Sequence, residues 1–175
     1  MSCSRSIHVH PEVDRGLHAG VESIRREQNL PDAFPDAVEK AAEQAAAKPR
    51  LPKLDRSDIP LVTLDPPSAM DLDQAMYMER HGEGYRVWYA IADVAAFVEP
   101  GGVIDREVRR RGETLYGADR KIPLHPKVLS AGAASLLPDH LRPALLCQYD
   151  PAARGSGCPV AVRLAAVARR APVAH

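Results

Sequence analysis

The spacing of apolar residues predicts helices in the first third of the chain. Near the N-terminus, four apolar residues recur at three- or four-residue intervals: Val13, Leu17, Val21 and Ile24. This spacing predicts an amphipathic helix over residues 13–28, weakened by two internal glycines. A stronger helix is predicted over residues 36–48, where alanines form one face and Asp36 with Glu39 suits a capping box.

From residue 61 the pattern changes to short apolar or alternating runs bounded by turn residues. These runs predict strands over residues 61–65, 74–80, 85–93, 142–150 and 158–171. A short helix is predicted over residues 101–112, with Gly112 as its C-cap, and residues 121–140 are proline-bounded and irregular. We therefore expect a mixed α/β (α+β) fold in which a mostly antiparallel sheet is flanked by helices. Residues 1–54 form an N-terminal helical and linker region, and residues 55–175 form the main domain.

Composition narrows the class of protein. The 175 residues suit one domain with a real core, and equal counts of 23 basic and 23 acidic residues give zero net charge. A pure nucleic-acid coat protein is normally basic, although a local basic patch remains compatible with RNA binding. No apolar run predicts a membrane span. Three cysteines without zinc spacing indicate a reduced, cytoplasmic protein.

Three aspartates lie close together where the first predicted strand ends and the following loop leads to the second: Asp65, Asp71 and Asp73. Such carboxylates raise one another's pKa unless they share a cation, and Mg²⁺ prefers oxygen ligands of this kind. The alternative is that the three aspartates have no metal-binding role: Asp65 is a turn residue before Pro66, and the other two carboxylates are solvated. Spacing alone does not decide between these interpretations. The segment does not match a calcium-binding loop of EF-hand type. Such a loop needs Asp or Asn at alternate positions, a central Gly and a distal Glu, and this full pattern is absent.

Several segments, in a fixed order, resemble the RNB catalytic domain of the ribonuclease II and ribonuclease R family. They are "VTLDPPSAMDLDQAM", "YAIADVAAFVEPGGVIDREVRRRGETLYG", "IPLHPKVLS", "ASLLP" and "RPAL", and together they cover roughly residues 55–170. The "DLDQA" variant is similar to actinobacterial members. The resemblance implies hydrolysis of single-stranded RNA from its 3′ end, with Mg²⁺, to nucleoside 5′-monophosphates. Neither DNA nor a membrane is an expected partner.

The resemblance also implies roles for residues of the acidic loop. Asp65, Asp71 and Asp73 match the first three acids of the family site, and Asp73 matches the one tied most directly to cleavage. Asp71 and Asp73 are therefore the predicted catalytic residues. Gln74 stands where ribonuclease II has a fourth aspartate, so the predicted metal ligands are Asp65, Asp71, Asp73 and Gln74. An amide oxygen can ligate Mg²⁺ without adding charge, which predicts weaker metal affinity.

Candidate RNA contacts lie at the end of the short helix and just after it. Tyr116 matches an aromatic residue that stacks on an RNA base in the family, and core packing is the alternative. Arg109 and Arg111, at the C-terminal end of the predicted helix, are candidate phosphate contacts. Arginines there also suit the helix dipole, so a solvated face is the alternative for both.

The matched region corresponds to the N-terminal part of an RNB domain, so we expect an incomplete catalytic domain that exposes apolar surface. In the family, the second half supplies an arginine near the scissile phosphate and a further stacking tyrosine. Two other functional hypotheses stay open. One is a non-catalytic RNA-binding remnant, and the other is a structural divalent-metal module without RNA affinity.

Overall fold

The computed structural model describes residues 11–31, 33–66, 68–117, 119–150 and 160–169, with the backbone alone for residues 11–15 and Val160. Its helices are α1 (Pro11–Glu27), α2 (Asp36–Ala47) and α3 (Val103–Arg111), with a 3₁₀ turn at Val94–Phe97 and a π turn at Leu129–Ala133. Its strands are β1 (Gln74–His81), β2 (Gly84–Ala92), β3 (Leu115–Tyr116), β4 (Lys121–Ile122), β5 (Leu141–Tyr149) and β6 (Val160–Ala168).

The four long strands form one antiparallel sheet in the order β1-β2-β5-β6. A tight turn at Gly82, with φ of +59°, joins β1 to β2 so that Gln74 pairs with Ile91 at the far end of the hairpin. Strands β3 and β4 form a separate two-stranded hairpin. The predicted fold class is confirmed, and β1, β2 and β5 lie within two residues of their predicted limits.

Two apolar clusters form the interior of the described part of the chain. One lies on a single face of the sheet and includes Trp88, Leu146 and Val167 together with Leu72 of the acidic loop. The other joins α2 to α3 and the two short turns, around Phe97 and Leu129. Because α2 shares this second cluster with later residues, the N-terminal helical region packs directly on the rest of the domain.

The start of α2 differs from the prediction. The helix begins at Asp36, but no side chain among the described residues caps it. Instead, the Pro35 carbonyl accepts hydrogen bonds from the backbone N–H groups of Val38 and Glu39, at 2.8 and 3.1 Å. The predicted capping box was therefore wrong, because Asp36 lies inside the first turn rather than before it.

The predicted strand at residues 61–65 was also wrong as a regular strand. Only isolated bridges form there, between Leu61 and Arg169 and between Val62 and Met76. Pro60 and Pro66 flank the segment and lack the N–H groups that a longer ladder needs. The segment therefore crosses from the end of β6 to the start of β1, and its last residues face the acidic loop.

Part of the sheet face opposite the first cluster is apolar and exposed in the part of the chain that the structure describes. Ile91, Leu145 and Leu164 are paired across β2, β5 and β6, with exposed fractions of 39%, 36% and 55%. Cys147 on β5 is buried and free, whereas Cys3 and Cys158 lie outside the described residues. None of the described helices is long and apolar enough to cross a membrane.

Candidate functional site

The acidic residues predicted from sequence line one cavity at the edge of the sheet where β1 begins. This cavity encloses about 390 Å³, and its walls include all four predicted metal ligands: Asp65, Asp71, Asp73 and Gln74. Tyr89 of β2 and the crossing segment at residues 62–64 complete much of the wall. Tertiary folding therefore brings Asp65 to the same cavity as the two aspartates that follow it.

Leu72 fixes the direction of its two acidic neighbours. Its side chain is buried in the sheet cluster, with 3% exposed, whereas Asp71 and Asp73 are exposed. Successive side chains of an extended segment point to opposite sides. Burial of Leu72 thus directs Asp71 and Asp73 together toward the cavity, as the two-residue spacing predicts.

Backbone and side-chain hydrogen bonds hold the loop in this orientation. The Leu72 N–H donates to Ser135 Oγ at 2.9 Å, and the Ser135 hydroxyl donates to the Met70 carbonyl at 2.6 Å. The Leu136 N–H donates to the Leu72 carbonyl at 2.9 Å. The Asp73 carbonyl accepts from the Ala92 N–H at 2.8 Å. Sequence reasoning missed Ser135, which lies in the segment that resembles the family but carries no chemical signature of its own.

Asp65 is positioned by the crossing segment. Two residues earlier, Thr63 is buried and its hydroxyl accepts a 2.7 Å hydrogen bond from Arg169, which follows β6. The backbone of Arg169 also bridges Leu61. The crossing segment is therefore anchored from within the protein, and it leaves the Asp65 carboxylate exposed at the cavity.

The two aspartates that flank Leu72 have opposite electrostatic surroundings. Partial burial, then the neighbouring charges of Asp71 and Asp65, raise the pKa of Asp73, against the opposing charge of Lys121. A hydrogen bond from Lys121 is the main cause that lowers the pKa of Asp71. Negative charge at the cavity is thus incompletely compensated, which suits a cation.

The donor set fits a hard divalent ion, but the ligands are not gathered around a common point. Within the described ranges, no three His, Cys, Asp or Glu side chains stand where they could hold a metal ion together. Asp71 instead pairs with Lys121, with 2.8 Å between Oδ2 and Nζ, and Gln74 Oε1 accepts a hydrogen bond from the Tyr89 hydroxyl. Three carboxylates and an amide oxygen are the ligands Mg²⁺ prefers, so binding would require Asp71 and Gln74 to exchange these partners.

Tyr116 lies beside this site rather than in the core. Its side chain is 78% exposed on β3, where it pairs with Lys121 of β4 across the short hairpin. Lys121 Nζ lies 5.6 Å from the centre of the Tyr116 ring. The core-packing alternative for Tyr116 was therefore wrong. Lys121 was not found from sequence, because two-residue strands are too short to show a periodicity.

The two arginines predicted to contact RNA have different surroundings. Arg109 is 78% exposed and pairs with Asp105 one turn earlier, at 3.0 Å. Arg111 has a side chain only 1% exposed, and it donates to Glu107 at 2.8 Å and to the Ala33 carbonyl at 2.7 Å. Its guanidinium also stacks on Phe34 at 3.6 Å. The prediction that Arg111 reaches RNA disagrees with this structure, because Arg111 ties α3 to the N-terminal region.

Comparison with known proteins places these residues in a family. A family model described as the RNB domain matches residues 53–174. Ribonuclease R of Escherichia coli K12 is 37% identical over 145 residues, which is 80% of this chain and 18% of that protein. Exoribonuclease 2 of Vibrio vulnificus is 34% identical over 122 residues, which is 69% of this chain and again 18% of the relative. The chain thus spans less than a fifth of the length of these two relatives.

Solved structures agree in fold. The apo form of Mycoplasma genitalium RNase R superposes with a TM-score of 0.75 at 25% identity, over 86% of this chain and 24% of that one. The same enzyme has been solved with ribose-methylated single-stranded RNA, and that structure also gives a TM-score of 0.75. Yeast Ssd1, described as a pseudonuclease, shares the fold with a TM-score of 0.57 at 15% identity, over 80% of this chain and 16% of that one.

Proposed function

The chain belongs to the RNB-domain family, and from this membership we propose that its acidic loop is the metal-binding part of a 3′→5′ exoribonuclease active site. The substrate is single-stranded RNA, the products are nucleoside 5′-monophosphates and the cofactor is Mg²⁺. The same proposal places the protein in the cytoplasm, where such RNA is found. The observation that carries it is the meeting of Asp65, Asp71, Asp73 and Gln74 at one cavity.

Each residue has a chemical task in this proposal. Asp65, Asp71 and Asp73 would hold the cofactor through their carboxylates, and Gln74 would add an uncharged oxygen. Mg²⁺ bound there would supply positive charge to stabilise the phosphodiester during hydrolysis. The buried Leu72 and its hydrogen bonds keep the two flanking aspartates directed at the substrate. Because these bonds already exist, the loop does not have to order itself when RNA arrives.

Tyr116 supports the choice of RNA as substrate. An exposed aromatic ring beside a nuclease site can stack on any base, because every base has a π-face. Its 78% exposure leaves the ring accessible, and the nearby Lys121 adds positive charge. Stacking without base-specific hydrogen bonds suits an exonuclease that removes successive nucleotides of any sequence.

A gel assay tests the proposal. The purified 175-residue chain is incubated with 5′-labelled single-stranded RNA, with Mg²⁺ or with EDTA. We expect Mg²⁺-dependent shortening from the 3′ end, its loss in Asp73→Asn, and its retention in Glu83→Gln. Glu83 lies in the turn at the opposite end of the β1–β2 hairpin from Gln74, so this control removes a charge far from the cavity. Equal shortening in Asp73→Asn and wild type would show that Asp73 is not catalytic.

A non-catalytic RNA-binding role is the second candidate. The fold shared with the pseudonuclease Ssd1, and metal ligands that are not gathered in the described structure, favour it. It predicts that the chain binds single-stranded RNA equally well with Mg²⁺ or EDTA and leaves the RNA intact. The same gels, run beside a binding measurement by fluorescence anisotropy, separate the two functions.

A further inference from the structure

Lys121 links the two parts of the candidate site. Its ammonium lies 2.8 Å from Asp71 Oδ2, a predicted metal ligand, and 5.6 Å from the ring centre of Tyr116, the predicted base-stacking residue. It also acts electrostatically on Asp73. A single flexible cation therefore stands between the proposed metal site and the proposed RNA contact.

The β3–β4 hairpin holds the backbone of Lys121 in place. Tyr116 and Lys121 are cross-strand partners in β3 and β4, and the Gly117 N–H donates to the Arg120 carbonyl at 3.0 Å to close the turn. Lys121 reaches Asp71 across 50 positions of sequence. Its backbone is thus held beside Tyr116, while its four-carbon side chain retains the freedom to swing its charge.

The ion pair with Asp71 is readily exchanged. The side chains of Lys121 and Asp71 are 42% and 51% exposed, and ion pairs in such contact with water contribute little to stability. A divalent ion carries twice the charge of the ammonium and prefers the same carboxylate oxygen. Metal binding and the Lys121–Asp71 pair are therefore competitors for Asp71.

We propose that Lys121 neutralises Asp71 in the metal-free protein and, when a divalent ion takes Asp71, moves to a phosphate of the RNA strand whose base stacks on Tyr116. This inference rests on the proposed function. It assigns Lys121 two opposed effects: the side chain weakens metal binding and strengthens RNA binding. RNA phosphate then becomes the partner that compensates the displaced lysine, so metal and RNA promote each other's binding.

The first experiment measures metal binding without RNA. Calorimetric titration with Mn²⁺ is done on wild type, Lys121→Gln, Lys121→Arg and Lys127→Gln. We expect Lys121→Gln to bind Mn²⁺ about 2- to 5-fold more tightly, the range that an exposed ion pair spans. Lys121→Arg keeps the competing charge, and Lys127→Gln removes an exposed lysine elsewhere, so both should match wild type. Unchanged or weaker binding in Lys121→Gln overturns the inference.

The second experiment measures RNA binding by fluorescence anisotropy of a labelled 12-nucleotide oligo(A) at several salt concentrations. Ca²⁺ serves as the hard cation, with the RNA length checked on a gel afterwards. With Ca²⁺, Lys121→Gln should reduce the slope of log affinity against log salt by about 0.7, the value for one phosphate contact on a single strand. With EDTA, the slopes of wild type and variant should coincide. Equal slopes with Ca²⁺, or a difference that persists in EDTA, contradict the exchange.

The outcomes separate this inference from the proposed function. If wild type binds Mn²⁺ and RNA and shortens RNA, but Lys121→Gln matches it in both titrations, Lys121 has no exchange role and the proposed function stands. If wild type binds neither the cation nor RNA, both proposals are wrong. Thermal unfolding of each variant establishes that the fold is retained, as expected for a half-exposed side chain.

Discussion

The Ser135 hydroxyl accepts a 2.9 Å hydrogen bond from the backbone N–H of Leu72, 63 positions earlier in sequence. It also donates to the Met70 carbonyl, so this one buried side chain satisfies backbone groups on both sides of Asp71. The catalytic loop of the proposed nuclease is therefore held by a residue that has no part in the chemistry.

Substitution of Ser135 should weaken the loop. In Ser135→Ala the buried Leu72 N–H loses its acceptor, and we expect the free energy of unfolding to fall by about 1–3 kcal/mol in urea titrations. Ser130→Ala is the matched control. Its hydroxyl donates a long, 3.4 Å hydrogen bond to the Pro126 carbonyl, so the loss of this bond should stay within about 0.5 kcal/mol. Similar losses in both variants would contradict the proposed role of Ser135.

Acid should destabilise the protein through Glu107. Hydrogen bonds from Arg110 and then Arg111, against the opposing effect of burial, lower the pKa of Glu107 from 4.5 to about 2. Because the folded pKa is the lower one, the stabilisation is complete above about pH 4.5 and is lost as the pH falls toward 2.

Comparison of wild type with Glu107→Gln checks this pH dependence. At pH 7 the variant should be less stable by an amount on the order of 2 kcal/mol, and the difference should shrink steadily between pH 4.5 and pH 2.5. Urea unfolding at a series of pH values measures it. A difference that stays constant down to pH 2.5 would mean that the Glu107 carboxylate is not the titrating group.

Tyr116 should contribute to RNA affinity and not to folding. Because its ring is 78% exposed, Tyr116→Ala should leave the melting temperature unchanged. Loss of one stacked base should weaken binding of oligo(A) and oligo(U) alike, by about 1–3 kcal/mol in anisotropy titrations. Tyr85→Ala removes a half-exposed tyrosine at the start of β2, away from the part of this strand that lines the cavity. This variant should bind RNA like wild type. A loss confined to one base would point instead to base-specific contact.

Gln74→Asp should strengthen metal binding. The substitution adds a fourth carboxylate at the cavity and removes the amide oxygen that accepts from Tyr89. Greater ligand charge tightens binding of hard cations, and we expect Mn²⁺ affinity to rise on the order of tenfold in calorimetric titration. Gln44→Glu adds the same charge on the exposed side of α2 and should change nothing. An unchanged affinity in Gln74→Asp would show that position 74 does not ligate the metal.

The exposed apolar row Ile91–Leu145–Leu164 should promote self-association. Leu164→Thr interrupts it and places a β-branched residue, which favours strands, on β6, so stability should change by less than about 0.5 kcal/mol. Light scattering and binding of a hydrophobic dye should both decrease. Leu17→Thr, which removes a leucine of similar exposure from α1, should leave both signals as in wild type. Equal decreases in the two variants would indicate that apolar exposure in general, not this row, drives association.

Local patterns in the sequence predicted much of the fold and the acidic loop. The β1–β2 hairpin follows from alternating residues around a glycine turn, and α3 ends at Gly112, whose φ is +80°. Both depend on residues close together in the chain. The predictions of a capping box at Asp36 and of a strand at residues 61–65 were wrong. Asp36 lies within the first helical turn and not before it, and prolines flank residues 61–65.

Contacts between distant residues were decided only by tertiary structure. By itself the sequence determined the family, the antiparallel sheet and the pair of aspartates around Leu72, because each depends on residue order or short spacing. Only the folded chain decided that Lys121 meets Asp71, that Ser135 holds the loop, and that Arg111 is buried on Phe34 rather than open to RNA. These contacts span from 50 to 77 positions, and no local pattern encodes them, since they arise when separate elements pack on a shared core.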